Sequence, residues 1–144
     1  MLILLGMTLA VLAGVVGMAL DLGRLYVVRT EAQAFADLAA LKAAHELDGK
    51  RGAIARARRA VESSPMRWDF GTRPFTGSLI EFSADQSAWA SKPVTLAAVR
   101  YVRVTADLDQ VELYFLPAVM GPKKARVRAQ AVAASEDGQV RLIR

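Results

Sequence analysis

One histidine, His45, no cysteine and fourteen carboxylates bound the chemistry this chain can offer. A lone imidazole does not complete a histidine-based metal site, and without thiols there is no disulfide framework, thiolate ligand or thiol nucleophile. Gly71 and Gly77 bracket a segment that lacks the following Lys-Ser/Thr pair of a phosphate loop. No serine stands in a nucleophile elbow. Glu136 and Asp137 are paired acids, but they precede Gly138 in an expected turn, where solvated carboxylates are ordinary. No enzyme activity, cofactor, metal or small-molecule substrate is therefore expected. The acid in an unusual setting is Asp21, which comes after twenty uncharged residues. A carboxylate at the edge of lipid is costly and calls for a partner. The candidates are Arg24, one turn along the same helix, and a basic group or terminal amine of a neighbouring subunit.

The setting of Asp21 depends on the run before it. Met1 to Leu20 is apolar over about 20 residues, enough to cross the hydrocarbon core of a bilayer as a helix. All 19 basic and 14 acidic side chains come later, so the net charge of +5 belongs to the remainder. A cleaved signal peptide has a basic start and an apolar core of roughly 7–15 residues. No Lys or Arg precedes this longer run, and Gly17-Met18-Ala19 is only a weak cleavage site. An uncleaved anchor is expected, in preference also to a buried soluble helix, which rarely stays apolar all round for so many turns. Gly6, Ala10, Gly14, Gly17 and Asp21 fall on one narrow stripe at about 100° per residue. Small residues let helices approach closely in lipid, although Gly and Ala are also simply common in membrane helices.

No helix breaker separates this span from the residues after it. Residues 21–48 are predicted to continue the same helix: Leu25, Ala32, Ala36, Ala39, Ala43 and Leu47 share a face, with Val28 and Phe35 beside it, and Asp48-Gly49 ends it. A stripe so rich in alanine allows unusually close packing. A second helix is predicted from Lys50 to about Ser63, with Ile54, Ala57 and Val61 on its apolar side and Arg51, Arg56, Arg58 and Arg59 elsewhere. Such a basic face is usually solvated. With a pI near 10.0, it also offers a way to hold anionic lipid or an acidic ligand. Nucleic acid is not expected, since Trp68, Phe70 and Phe75 form no recognisable binding motif.

Beyond Pro65 the pattern changes to strands, at Met66–Phe70, Leu79–Ser83, Val99–Ala106, Ala125–Ala134 and Gln139–Ile143. Val127, Ala129, Ala131 and Ala133 alternate with Arg126, Arg128 and Gln130, the mark of a half-buried strand. Glu136-Asp137-Gly138 reads as a hairpin turn, and Gln86 to Pro93 as a loop. Asp109 and Glu112 have the spacing of a capping box, which predicts a short helix burying Leu113, Phe115, Leu116, Val119 and Met120 and ending at Gly121-Pro122. The fold class is α+β: a membrane helix over 1–20, continuous with an amphipathic helix that packs on a small antiparallel sheet in a head over 21–144.

Asp21, Gly23, Arg24, Leu25 and Tyr26, together with Gln33, Ala36, Asp37, Ala39, Ala40 and Leu41, resemble the N-terminal signature of TadE/TadG-like pilus-assembly proteins. In those an apolar span leads into a D-x-G-R-L-Y-like element and an alanine-rich helix. Trp68-Asp69-Phe70-Gly71, residues 98–105, residues 115–121 and residues 127–133 are similar to later elements of that family, in the same order. The resemblance implies a pseudopilin or minor pilin of the bacterial tight-adherence (Tad/Flp) system. It further implies a single pass through the inner membrane, a periplasmic head, and partners among other pilus subunits and inner-membrane platform proteins, with incorporation into surface pili as one outcome. Arg24 and Arg29 after the span would by charge alone place the head in the cytoplasm; the family topology places it in the periplasm. No Gly has a Glu five residues later, so prepilin processing is not expected. On this reading Gly6, Ala10, Gly14 and Gly17 dock helix against helix, and Asp21 with Arg24 sets the register. The alternative is a membrane-tethered binding module that uses the basic helix at 51–59.

Overall fold

A single helix, α1, runs from Leu2 to His45, 44 residues without a break. No proline interrupts it, so the apolar run and the amphipathic segment form one rod, roughly 65 Å long at about 1.5 Å per residue. The computed structural model describes residues 1–64, 67–68, 73–74, 78–93, 98–121, 123–136 and 138–143. After α1 the chain turns at 46–52 into α2, Ala53–Glu62. Ala57 and Val61 of α2 join the core formed by Val28, Ala32, Phe35, Ala36, Ala39 and Ala43 of α1.

The strands are β1 (Arg67–Trp68), β2 (Arg73–Pro74), β3 (Ser78–Ser83), β4 (Tyr101–Glu112), β5 (Lys124–Glu136) and β6 (Gln139–Ile143), with the short helix α3 (Pro117–Met120) between β4 and β5. β1 and β2 form a small antiparallel pair. Of the strand expected over Met66–Phe70, Met66, Asp69 and Phe70 lie outside the described residues. β3 to β6 form a four-stranded antiparallel sheet in sequence order, the cheapest topology for consecutive strands. Glu136 pairs with Gln139 across a two-residue turn that holds Gly138 at φ 78°, a conformation that favours glycine.

The sheet lays one face on α1. Along β5, Val127, Ala129, Ala131 and Ala133 are buried between exposed Arg126, Arg128 and Gln130. Alanine therefore meets alanine across the helix–sheet boundary, and the backbones lie close. Gln33 Nε2 of the helix even reaches the Gln130 carbonyl of the sheet at 3.2 Å. On β4, Val102, Val104, Ala106 and Leu108 are buried in alternation. The opposite sheet face carries cross-strand charges, among them Glu81–Arg103 at 2.7 Å and Asp107–Arg126 at 2.5 Å.

One predicted element is corrected. Asp109 and Glu112 do not start a helix, because β4 continues through them: Val111 pairs with Ala125 and Glu112 with Lys124. Between Leu108 and Val111 the register shifts, so that two residues of β4 stand against one of β5 at that point. A one-residue bulge reverses which side chains face the core. After it Val111 and Leu113 are buried and Glu112 is exposed. Pairing with β5 thus takes precedence over a local capping signal, and α3 begins only at Pro117, with Leu116 as its N-cap.

Candidate functional site at the junction of rod and head

The structure gathers three of the singled-out residues, Gly17, Asp21 and Arg24, around the turn at the end of β4. They stand at i, i+4 and i+7 on α1, one face of the helix over two turns. Asp21 is 3% exposed. Its carboxylate accepts hydrogen bonds from three consecutive backbone amides: Tyr114 N–H at 3.1 and 3.2 Å, Phe115 N–H at 2.8 Å and Leu116 N–H at 2.7 Å. Successive amides pointing inward make an anion-binding concavity, and here the anion belongs to the same chain, more than ninety residues away in sequence. Bonds to a charged acceptor contribute about 1.5–3 kcal/mol each, which offsets the cost of burying the carboxylate.

Arg24 completes the clamp. Its Nη1 donates to the Glu112 carbonyl at 2.6 Å, and its guanidinium lies over the Tyr114 ring, 5.0 Å from the centroid. Gly17 serves by having no side chain: a Cβ built there falls 2.7 Å from Cβ and Cγ of Phe115. The turn is closed from its other side by Leu113 N–H donating to the Lys123 carbonyl at 3.0 Å. The receiving residues, Glu112 and Tyr114 to Leu116, carry no mark of this role in the sequence, because their apolar pattern imitates a helix. Asp21 therefore has partners of a third kind beside the two candidates expected, Arg24 and a neighbouring subunit: the backbone amides of its own head.

Gly6, Ala10 and Gly14 continue the stripe of Gly17 and Asp21 outward along the bare half of the rod. Nothing lies within 4 Å of a Cβ built at Gly6 or Gly14, and Leu2 to Leu5, Leu9, Val11, Leu12, Val15 and Val16 are all exposed. α1 is long and apolar enough near its N-terminus to cross a membrane.

The four arginines of the basic helix are not gathered into one free face. Arg56 is tied to Glu46 at 3.0 Å and to Asp48 at 2.7 Å. Arg58 donates to the Ser91 carbonyl and lies over the Phe82 ring. Arg59 Nε bonds to the Ala55 carbonyl of its own helix, and Arg51 is exposed. His45, Asp48 and Ser135 line one open cleft of about 420 Å³ at this same end of α1. Asp48, however, accepts from the Lys50 N–H and from Arg56 rather than from His45. Among the described residues no group of three or more His, Cys, Asp or Glu is placed to hold a metal ion.

Residues 1–46 match the family model described as putative Flp pilus-assembly TadE/G-like. The matched stretch ends one residue past α1, so the likeness resides in the rod and its junction residues, and it supports a role in pilus assembly. No curated protein and no solved structure matches the chain.

Proposed function

We propose that this chain is a non-enzymatic, membrane-anchored component of a Tad/Flp pilus-assembly machine, acting as a pseudopilin or minor pilin. Residues 1–20 cross the inner membrane and residues 21–144 form a periplasmic head. The observation that carries this reading is the uninterrupted α1, whose first half is bare apolar surface and whose second half is the core helix of the head. A subunit built this way packs into an assembly through its exposed rod. Gly6, Ala10 and Gly14 are the stripe on which the helices of other pilus subunits or platform proteins approach. Gly17, Asp21 and Arg24 act within the subunit, setting the angle at which the head meets the rod.

Fractionation of the tagged protein into inner membrane, periplasm and sheared surface pili tests this. Recovery in the inner membrane together with sheared fibres is the expected result for a minor pilin, and inner membrane alone that for a pseudopilin-type assembly factor. Recovery solely as soluble periplasmic protein would overturn the anchor. The alternative, an acidic ligand or lipid surface held by Arg51, Arg56, Arg58 and Arg59, loses support from the ties of Arg56 and Arg58 within the chain. Its lipid-surface form also requires lipid contact from α2, which packs beside the far end of α1, whose last residue lies about 36 Å along the rod from Asp21 at 1.5 Å per residue.

A further inference from the structure

Resting on the reading that residues 1–20 span the membrane, we propose that the turn at 114–116 is a second membrane contact, which seats the head on the surface of an anionic bilayer. If the apolar run ends at Leu20, Gly17 lies about 4.5 Å inside that boundary at 1.5 Å per residue. Phe115 packs directly on Gly17, so its ring sits at the level where hydrocarbon gives way to head groups. Tyr114 is 62% exposed and Phe115 48% exposed, as Tyr26 of α1 also is at 74%, whereas Phe82 in the sheet is fully buried. Aromatic side chains at that depth favour the interface, where an apolar body and a polar edge are both satisfied. Lys123, just before β5, and Lys124, its first residue, are exposed where the chain returns from the same turn, and cations beside the surface are drawn to anionic head groups. The three amides locked on Asp21 make the turn a rigid foot rather than a loose loop. The head is then held upright on the bilayer at two points, the rod and the foot.

The chain has no cysteine, so single nitroxide labels report depth without background. The full chain is reconstituted in vesicles of phosphatidylcholine with phosphatidylglycerol. Labels at Tyr114→Cys, Val11→Cys and Arg59→Cys are compared by their relaxation with oxygen and with a water-soluble nickel chelate. The expected order is Val11→Cys deepest, Tyr114→Cys shallow but favouring oxygen over the chelate, and Arg59→Cys fully aqueous. A label at Tyr114→Cys as aqueous as that at Arg59→Cys, with Val11→Cys still deep, overturns the second contact and leaves the span standing. An aqueous Val11→Cys overturns the span and with it this inference. Spin–spin broadening at Tyr114→Cys that vanishes on dilution with unlabelled protein, without oxygen preference, shows a second copy covering the turn, and also overturns it. Adding Lys123→Glu and Lys124→Glu is expected to move the Tyr114→Cys label toward water in anionic vesicles and not in pure phosphatidylcholine. An unchanged depth in anionic vesicles overturns the head-group part.

Discussion

The two halves of α1 each present an apolar surface, and the sizes of the apolar side chains run opposite to their burial. The half rich in Leu, Ile, Val and Met stands bare, whereas in the half rich in alanine the face from Val28 to Ala44 is buried. Bulk and burial are thus uncoupled, and on the proposed membrane reading two different solvents select the side chains. Lipid asks only for a large apolar surface, and association within it depends on where small residues open a groove. A sheet laid against a helix asks instead for small side chains on both partners, so that backbones approach and little volume is left unfilled. The junction at Gly17, Asp21 and Arg24 is where one requirement gives way to the other, and it is closed by hydrogen bonds rather than by packing alone.

The largest expected effect comes from breaking that junction. Asp21→Ala leaves three amides without their acceptor, at a cost of about 3 kcal/mol or more. Urea unfolding of the full chain in detergent should show it, and piliation should fall. A midpoint within error of the unsubstituted protein would mean that the foot is held by something else. A single chemical change made in both halves then sharpens the comparison. Ala39→Leu forces three extra carbons into the alanine contact and is expected to destabilise the head by about 2–3 kcal/mol. Ala10→Leu should leave head stability within about 0.5 kcal/mol while weakening assembly. Equal effects of the two on unfolding would erase the distinction between the halves. Next comes Gly17→Ala, whose new methyl group meets Phe115 and should cost about 1–2 kcal/mol. Combining it with Phe115→Ala should restore part of the loss in a double-mutant cycle, and strict additivity would deny the contact.

The smallest effect lies on the outward face of the sheet, outside the helix–sheet core. The hydrogen bond from Arg126 holds the Asp107 carboxyl below its ordinary 3.8, against the opposing pull of burial, with the charges of Arg126 and Arg128 adding to the lowering. A depressed folded-state pKa gives stability that is present above about pH 3.8 and is lost as the pH falls through the folded value. Asp107→Asn should therefore flatten a slight acid-side decline in the urea midpoint below pH 4. A decline of the same slope in the variant would place its origin elsewhere.

Local periodicity carries much of this structure. The length of α1, its alanine face from Ala32 to Ala43, the alternation along β5 and the Gly138 hairpin are all legible because each is a repeat of 3.6 or 2 residues, or a turn chemistry, contained within one element. Asp109 to Glu112 mislead because the same Asp-x-x-Glu spacing serves a capping box or a bulged strand, and only the presence of β5 alongside chooses between them. The basic residues of α2 form one face by spacing alone, yet Arg56 and Arg58 are drawn inward by Glu46, Asp48 and Ser91, which local spacing does not reveal.

What the residues determined by themselves is an apolar segment running without interruption into an alanine-faced helix, and then strands that cover it. These properties depend on neighbours a few positions apart. What only the tertiary structure decided is the fate of Asp21. Its place after twenty uncharged residues marks a carboxylate in need of a partner, but backbone amides at 114–116 have no side-chain signature. They become an acceptor's site only once β4, its bulge and the return into β5 bring that turn beside Gly17, where the absence of a single Cβ lets the two segments meet.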